Sequence, residues 1–324
     1  MEKVVVSSSG PGALTLHCHE VTVRFLDRAV VPPYEGSMIR GAFGRAFKES
    51  CCPFPHENGA GCSMGDKCPY AYVFETSPPE DARDFAKNRE VPRPYLFEPP
   101  EETKMEYGPG ERMRFGFTTV GRAADYMPYF VYAFSRMGEA GVGRRKARYE
   151  LENVVAINPL TGGRERLFEG GTVRNVRLPA VWEDAENVAE GMDGERVGLE
   201  FLTPAFVKHK GKVSPEAPSF AALVQNLMIR LPMLSAVHCG EVWRGDFRAM
   251  VDRAGEVETI RDGTTWVSFR RYSSFRGKSE PLEGVVGSVE YAGPLAEFLP
   301  LLVMGGLAHV GKRAVFGLGR YRLL

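Results

Sequence analysis

The sequence predicts an α+β fold of two tandem ferredoxin-like (βαββαβ, RRM-like) domains, the second of which contains a C-terminal glycine-rich loop. Three observations predict this fold. The second half of the chain orders its β-rich and helix-forming segments as βαββαβ. The first half follows the same order less cleanly. Each half then closes with a helix, a loop of glycines and basic residues, and a strand.

The first half supplies its elements in the order that this fold requires. "GALTLHCHEVTVRFL" has the alternation of a strand, and "SMIRGAFGRAFKES" (Ser37–Ser50) has the periodicity of a helix. "YAYVFE" and "ERMRFGFTTV" are predicted as strands on either side of a proline-rich loop. A helix at Tyr126–Met137 and the strand "RYELENVVAI" close the unit.

The second half repeats that order. "RVGLEFLTPAFV" predicts a strand, and Ser219–His238 predicts a helix with Ser219 as N-cap and a kink or break at Pro232. "TTWVSFRRYSSF" and "GVVGSVEYAG" predict a hairpin, and "PLAEFLPLLVMGGLAHV" and "GRYRLL" predict the last helix and strand.

The closing segments of the two halves resemble each other. Val142-Gly143-Arg144-Arg145 corresponds to Val310-Gly311-Lys312-Arg313, and Arg148-Tyr149 corresponds to Arg320-Tyr321. The positions of these segments indicate a duplication. The predicted domains are 1–157 (N-terminal, with a cysteine-rich loop at 51–68), 158–196 (a hairpin excursion and linker) and 197–324 (C-terminal).

Composition limits the function. Lys+Arg and Asp+Glu both number 41 among 324 residues, so the chain as a whole is not basic. Basic stretches such as "GVGRRKAR", "VKHKGK" and "FRRYSSFRGK" are nevertheless separate from acidic ones, which predicts one polyanion-binding face. The N-terminus has no signal-peptide pattern, and the longest uncharged apolar stretch, Phe298–Ala308, is too short to cross a bilayer. We expect a cytoplasmic protein with no membrane partner.

Two common glycine-rich phosphate sites are excluded. A dinucleotide fingerprint requires strand, glycines and then helix, whereas the terminal glycines follow a helix and precede a strand. No P-loop string occurs in the chain. The remaining interpretations are an anion-binding loop or a sharp turn with a solvated basic rim.

Four cysteines lie close together in the sequence. Their spacing allows a tetrahedral zinc to be bound by Cys51, Cys52, Cys62 and Cys68. Such a zinc would be structural. Cys52, Cys62 and Cys68 with His56 form an alternative set, and free thiols are a further alternative.

Five stretches resemble a known family: "PPYEGSMIRGAFGRAFKE", "CSMGDKCPYAYVFE", "FLTPAFVKHKGK", "FRRYSSFRGKSEPLEGVVGSVEY" and "HVGKRAVFGLGRYRL". The chain resembles the CRISPR-associated endoribonucleases that process precursor crRNA, the sixth CRISPR-associated protein family of the RAMP superfamily. The resemblance implies RNA binding between two ferredoxin-like domains. It also implies metal-independent cleavage in the repeat by 2′-OH attack, giving a 2′,3′-cyclic phosphate and a 5′-OH, with no cofactor for catalysis.

The resemblance assigns the catalytic roles to a Tyr, a His and a Lys around the first helix. The counterparts here are Tyr34, His56 and Lys48, and an alternative is catalysis by Lys, Arg and Tyr without any histidine. His17, His19, His238 and Cys18 are interpreted as packing residues, whereas His209 lies in the basic stretch "VKHKGK".

The predicted RNA-binding residues come from the first helix, the basic stretches and the terminal loop. The first helix has an apolar face, formed by Ile39, Ala42, Phe43, Ala46 and Phe47. The opposite, basic face contains Gly44. A solvated surface helix is the alternative. The set is Arg40, Arg45, Arg144, Arg145, Lys208, Lys210, Arg271, Arg276, Gly311, Lys312, Arg313, Gly317 and Gly319.

The leading hypothesis is a repeat-specific crRNA-processing endoribonuclease whose partner is CRISPR repeat RNA or crRNA. The alternative is a non-catalytic crRNA-binding RAMP subunit of a CRISPR effector complex. Effector-complex subunits and a second copy of the chain, as a homodimer, are the protein partners considered.

Overall fold

The computed structural model describes residues 5–7, 11–52, 64, 68–87, 90–102, 104–209, 211–273 and 278–324. The helices are α1 (Gly36–Cys51), α2 (Pro69–Phe74), α3 (Arg83–Ala86), α4 (Met127–Ala140), α5 (Trp182–Glu190), α6 (Phe220–Leu234), α7 (Phe247–Ala254) and α8 (Leu299–Ala308). The strands are β1 (Val5–Ser7), β2 (Leu16–Phe25), β3 (Ala29–Val30), β4 (Tyr95–Glu98), β5 (Glu106–Tyr107), β6 (Arg112–Val120), β7 (Tyr149–Asn158), β8 (Gly163–Glu169), β9 (Thr172–Val173), β10 (Arg196–Ala205), β11 (Lys208–His209), β12 (Lys212–Val213), β13 (Glu241–Trp243), β14 (Glu258–Ser273), β15 (Lys278–Ala292) and β16 (Tyr321–Leu323).

The chain forms two compact units. The N-terminal unit contains Leu16–Pro179 and Val237–Cys239, and the C-terminal unit contains Met1–Thr15, Ala180–Ala236 and Gly240–Leu324. Both are mixed α+β units built on antiparallel sheets.

These boundaries differ from the predicted 1–157, 158–196 and 197–324. Strand β1 pairs in parallel with β13, so the N-terminal residues join the C-terminal unit. Strands β8 and β9 extend the sheet beyond β7, so the predicted excursion continues the N-terminal sheet. Helix α5, in the acidic part of the predicted linker, packs against α8 of the C-terminal unit.

The N-terminal unit is built around a six-stranded sheet with the order β4-β6-β2-β7-β8-β9. Its chain order β2, α1, β4, β6, α4, β7 places the four principal strands in the order second, third, first, fourth. The apolar side of α1 is buried as its periodicity predicts. Phe43 is at the centre of the core, with ring contacts to Phe97 and Phe117 of the sheet and to Phe130 and Phe134 of α4.

The segment "YAYVFE" forms helix α2, so its prediction as a strand was wrong. Pro69 occupies the first turn of the helix, where its fixed φ favours a helical start and its missing N–H costs no hydrogen bond. The aromatic residues that favour a strand by composition are instead used in packing, since Tyr72 and Phe74 are buried.

The C-terminal unit is built around a four-stranded sheet with the order β14-β15-β10-β16. Its chain order β10, α6, β14, β15, α8, β16 gives the same second, third, first, fourth arrangement as in the other unit. The hairpin β14–β15 forms as predicted, from the pair Glu258–Ala292 to the pair Ser273–Lys278. Phe220 packs on Tyr291 and Phe298 in the core.

Helix α6 begins at the predicted cap, since the Ser219 hydroxyl accepts a hydrogen bond from the Ala222 amide. The chain stays helical through Pro232 and ends with a π-helical turn at Ser235–Cys239, so the predicted break does not occur. The run Phe220–Cys239 is long and apolar enough to cross a membrane, which corrects the expectation that no stretch is. Most of its side chains are buried within the protein.

The two closing segments share backbone geometry. Helix α4 ends at Gly141 with φ +77°, and α8 ends at His309 with φ +61°. Val142 N–H donates to Ala147 O, and Val310 N–H donates to Gly319 O, each at 2.9 Å.

They also share a buried tyrosine contact. Tyr149 and Tyr321 begin the last strands, and their hydroxyls donate to the Phe134 and Leu302 carbonyls at 2.9 and 2.7 Å. These carbonyls lie one helical turn before Gly138 and Gly306, so these two glycines occupy equivalent positions. The repeated sequence therefore corresponds to repeated structure.

Candidate nucleic-acid interface

The glycine-rich loop between α8 and β16 is a tightly packed turn. Gly311, Gly317 and Gly319 all have positive φ, between +73° and +88°. A Cβ at Gly311 would lie 2.4 Å from the Phe206 carbonyl oxygen, and a Cβ at Gly319 would lie 1.8 Å from the Val310 carbonyl oxygen. No other residue type fits at Gly311 or Gly319 without moving the backbone.

Several amides of this loop are already hydrogen-bonded within the protein. Gly317 N–H donates to Ala314 O at 2.7 Å, and Gly319 N–H donates to Pro204 O at 3.0 Å. The Thr203 hydroxyl donates to Gly317 O at 2.6 Å. Gly317 and Gly319 therefore shape the turn, and their amides are not available to bind RNA as the sequence suggested. The loop presents side chains instead.

Two cations project from the loop. Lys312 and Arg313 are both exposed, and the Lys312 amide is fixed by a 3.2 Å hydrogen bond to Phe206 O. Arg313 has φ +67°, which is a left-handed conformation in a residue other than glycine. Its guanidinium donates to the carbonyl of Pro281 on β15.

Strand β14 is joined to the same loop through Arg271. Its guanidinium carbon lies 4.3 Å from the ring centroid of Phe316, and its Nη2 lies 3.3 Å from Oε2 of Glu280 on β15. Arg271 is largely covered, with a side-chain exposure of 17%. The second predicted residue of this hairpin, Arg276, lies outside the described residues.

The segment after β10 reaches the loop from another direction. The exposed Lys208 ammonium lies 5.9 Å from the ring centroid of Phe206, whose carbonyl accepts from Lys312 N–H. Phe206 in turn lies 6.0 Å from Trp266 of β14, measured between ring centroids. Lys210 lies outside the described residues. The structure thus brings cations from three segments together; we call Lys208, Arg271, Lys312 and Arg313 the loop patch.

In the N-terminal unit, the predicted basic face of α1 is covered by α2. The Arg40 guanidinium carbon lies 5.1 Å from the ring centroid of Phe74, and the Lys48 ammonium lies 5.5 Å from that of Tyr70. A Cβ at Gly44 would lie 2.9 Å from the Phe74 ring. The small residue on this face therefore accommodates an aromatic ring of the same chain, and not the RNA backbone that the sequence suggested. Arg45 remains exposed.

The N-terminal counterpart of the loop patch is the turn Gly141–Ala147, in which Arg144 and Arg145 are exposed. A Cβ at Gly143 would lie 2.8 Å from the carbonyl oxygen of Val30, just as Gly311 abuts Phe206 O. Val30 lies in the segment after β2, and Phe206 lies directly after β10, the equivalent strand of the other sheet. Both loops thus dock against a backbone carbonyl at equivalent places in the two units.

The fold and the chain both match known proteins. A family model described as CRISPR-associated endoribonuclease Cas6 matches residues 199–321, and a model described as an N-terminal domain (AF_1859_N) matches residues 14–180. An uncharacterized protein of Archaeoglobus fulgidus is 24% identical over 300 residues, which cover 90% of this chain and 92% of that protein.

Among solved structures, Thermus thermophilus Cas6 superposes with a TM-score of 0.54 at 14% identity, covering 96% of this chain and 99% of that chain. A Cas6 product complex gives a TM-score of 0.56 at 15% identity with the same coverage. The C-terminal part of the chain thus matches the Cas6 family model, and the fold is similar to that of Cas6 proteins. A partial Cas6-RT-Cas1–Cas2 complex also matches, with a TM-score of 0.58 at 12% identity, covering 96% of this chain and 46% of that one.

Two of the three predicted catalytic residues lie far apart along the chain's first helix. Tyr34 is buried just before α1, whereas Lys48 lies in its last turn. A helix rises about 1.5 Å per residue, so about 18 Å separates Gly36 at the start of α1 from Lys48. Tyr34 and Lys48 therefore lie at opposite ends of α1. His56, the third residue, lies outside the described residues.

Glu35 is an acidic group at the start of α1 that sequence reasoning missed. Burial raises the pKa of its carboxyl to about 7, and the side chain is 4% exposed. A glutamate adjoining a predicted helix gives no signal of burial, because acidic residues are common in the first turn of exposed helices.

Four histidines are buried, at 7%, 3%, 2% and 0% exposure; they are His17, His19, His238 and His309. The burial of the first three agrees with their interpretation as packing residues. Burial lowers the pKa of His17 and His19 to about 4, and burial also lowers the pKa of His309 well below its usual value. His238 is held on both sides: its Nε2 donates to Pro92 O at 2.8 Å, and its Nδ1 therefore accepts from the Tyr72 hydroxyl at 3.1 Å.

The predicted zinc ligands are only partly described, since Cys62 lies outside the described residues. Cys51 donates a hydrogen bond from its thiol to Phe47 O at 3.0 Å. Burial, followed by the proximity of Cys68 and Cys52, raises the pKa of Cys51 to about 12. Within the described part of the chain, no group of three or more His, Cys, Asp or Glu residues is arranged to hold a metal. The zinc site stays a prediction.

Proposed function

We propose that this chain binds CRISPR repeat RNA and cleaves it without a metal. The 2′-oxygen attacks the adjacent phosphorus, the P–O5′ bond breaks, and the products carry a 2′,3′-cyclic phosphate and a 5′-OH. The nucleophile belongs to the substrate and is already next to the phosphorus, so the protein has to orient the strand and manage protons and charge.

One observation carries this proposal: the loop patch gathers the exposed cations Lys208, Lys312 and Arg313 around one glycine-rich turn, to which Arg271 anchors the β14–β15 hairpin. Exposed lysine and arginine side chains neutralise phosphates, and half-exposed rings beside them offer stacking surfaces for bases. Phe206, Trp266 and Phe316 are such rings. A solvated basic rim would not require Lys208 and Arg271 to lie against the rings of Phe206 and Phe316.

We also infer that each unit is a ferredoxin-like module, because both sheets follow the second, third, first, fourth strand order. We further propose that the protein is cytoplasmic, forms a homodimer and associates with effector-complex subunits. We also propose that it contains a structural zinc bound by Cys51, Cys52, Cys62 and Cys68. Metal analysis of purified protein by mass spectrometry tests the zinc, with one equivalent expected and less than a tenth contradicting it.

The main test incubates the full chain with the repeat RNA of its own genomic array in EDTA and analyses the ends of the fragments. Cleavage that leaves a cyclic phosphate and a 5′-OH supports the proposal. A repeat with a 2′-deoxynucleotide at the cleavage position is the matched control, since it lacks the nucleophile and should stay intact.

A second candidate is a non-catalytic crRNA-binding subunit, and one observation favours it: Tyr34 and Lys48 lie at opposite ends of α1. In that case the repeat RNA binds with the salt dependence of several phosphate contacts but stays uncleaved under all conditions. The same experiment therefore separates the two candidates.

A further inference from the structure

We propose that His209 is the general base of the cleavage reaction, accepting the 2′-hydroxyl proton at its Nε2 atom. This inference rests on the proposed endoribonuclease function and assigns a residue to it. His209 lies in strand β11, outside the first helix from which the catalytic residues were predicted.

Accessibility separates His209 from the other described histidines. Four are buried in the protein, and three of those bind backbone carbonyls through a ring nitrogen. A buried imidazole cannot contact the 2′-hydroxyl of an RNA strand. His209 is half-buried, and it is the single histidine of the described part of the chain that reaches the surface.

The position of His209 relates it to the loop patch. It follows Lys208 directly, and the same short segment contains Phe206, whose carbonyl accepts from Lys312 N–H. Lys212 lies opposite His209 in the β11–β12 ladder. Phosphates held by these lysines would therefore bring the RNA backbone next to the imidazole.

The hairpin that carries His209 is held in place. Asn226 of α6 donates from its side-chain amide to Lys208 O at 2.8 Å and to Ala222 O at the same distance. Because a general base must be fixed within hydrogen-bonding distance of the proton it removes, this anchoring suits the role.

The two ring nitrogens of His209 differ. Nδ1 is buried and has no hydrogen-bond partner among the residues that the structure describes. Nε2 is left as the nitrogen that can meet RNA. In the proposed step, neutral Nε2 takes the O2′ proton as the O2′–P bond forms and the P–O5′ bond breaks. The departing O5′ takes a proton from water, and the imidazolium returns its proton to water.

The experiment measures single-turnover cleavage of the repeat RNA in EDTA, with the full chain in excess. We expect His209→Ala to slow cleavage by about 10²–10⁴-fold, which is the usual contribution of general acid–base catalysis. The Kd for the RNA should change by less than about threefold, since Lys208 and Lys212 still hold the phosphates. Added imidazole should restore part of the rate of His209→Ala.

Two variants serve as controls. His209→Gln fills the same space without a base, so it should be as slow as His209→Ala and should not respond to imidazole. Lys212→Ala removes a neighbouring charge, so it should weaken RNA binding, which the His209 variants should not do. If His209→Ala melts at a lower temperature than the wild type, the rate of His209→Gln decides the result.

The outcomes distinguish this inference from the proposed function. If the wild type cleaves and both His209 variants cleave at the wild-type rate, His209 is not the base and the endoribonuclease function stands. If the wild type binds the RNA without cleaving it, the endoribonuclease function fails, and the inference fails with it.

Discussion

Arg271 on β14 lies over the ring of Phe316 in the glycine-rich loop, with 4.3 Å between the guanidinium carbon and the ring centroid. The same guanidinium pairs with Glu280 across the hairpin. A cation–π contact of this kind contributes about 0.5–2 kcal/mol. Arg271 therefore ties the hairpin to the loop that presents Lys312 and Arg313, and its charge is partly compensated within the protein.

We expect Arg271→Ala to lower the free energy of unfolding by about 0.5–2 kcal/mol, through loss of this contact. The slope of log Kobs against log salt for repeat RNA should stay unchanged, since Glu280 already compensates the charge. Arg270→Ala, an exposed neighbour on the same strand, should leave the unfolding curve unchanged. A slope that becomes shallower by about one in Arg271→Ala would show a direct phosphate contact instead.

Arg313 allows its charge to be separated from its backbone conformation. Its φ of +67° costs about 1–2 kcal/mol relative to glycine. Arg313→Gly should therefore leave the protein at least as stable as the wild type, whereas Arg313→Ala should not, because alanine retains the strain and loses the hydrogen bond to Pro281 O.

For RNA binding, Arg313→Gly and Arg313→Ala should behave alike. Each removes one exposed cation, so each should make the salt slope shallower by about one. Thermal unfolding and filter binding on the same preparations check both expectations. Arg313 does not bind RNA if both variants keep the wild-type slope.

Gly41 and Gly44 of α1 give a matched pair that tests whether α2 covers this face of the helix. A Cβ at Gly41 meets nothing within 4 Å, whereas a Cβ at Gly44 would lie 2.9 Å from Phe74. Gly41→Ala should stabilise the protein by about 0.5–1 kcal/mol through helix propensity. Gly44→Ala should instead destabilise it, because the Phe74 ring has to move out of a packed site.

Denaturant unfolding of both variants measures the difference. Equal stabilisation by the two alanines would mean that α2 does not lie on this face of α1 in solution. The face would then be open to RNA, as the sequence alone suggested.

The sequence and the structure differ most where a distant segment decides the outcome. Hydrophobic periodicity is a local signal, and it predicted the buried side of α1, including Phe43 and Phe47. Periodicity could not show that α2 covers Gly44. The aromatic composition of the α2 segment favours a strand, so a helix was not expected there. The repeated loops were predicted from their glycines, whereas His309 in the place of Gly141 was not, since histidine rarely adopts a positive φ.

The parts of the candidate site that could be predicted are likewise those with a local signal in the sequence. Lys208, Lys312 and Arg313 carry their charge in the sequence, so their exposure could be expected. The separation of Tyr34 from Lys48 follows from helical rise once α1 is accepted as one helix. The anchoring of Arg271 and the docking of Gly311 on Phe206 O depend on contacts between strands, which no local pattern encodes.

Glu35 predicts a pH dependence of stability whose sign follows from the direction of its shift. Its pKa in the folded protein is about 7, raised by burial above the ordinary value of 4.5. Between these two values the folded state binds more protons than the unfolded state, so the contribution of Glu35 to stability falls as pH rises through this window. His17 and His19, whose folded pKa values are about 4, act in the opposite direction between about pH 4 and 6.5.

Glu35→Gln separates the two effects, because it removes the carboxyl and keeps both histidines. We expect the free energy of unfolding of Glu35→Gln to exceed that of the wild type by an amount that grows from pH 4.5 to pH 7 and is then constant. Urea unfolding at five pH values across this range measures the difference. Glu75→Gln, which replaces an exposed carboxyl that follows α2, is the control for the substitution itself. A Glu35→Gln difference that stays flat across the window would mean that Glu35 is solvated, and that α1 begins at a more open surface than this packing allows.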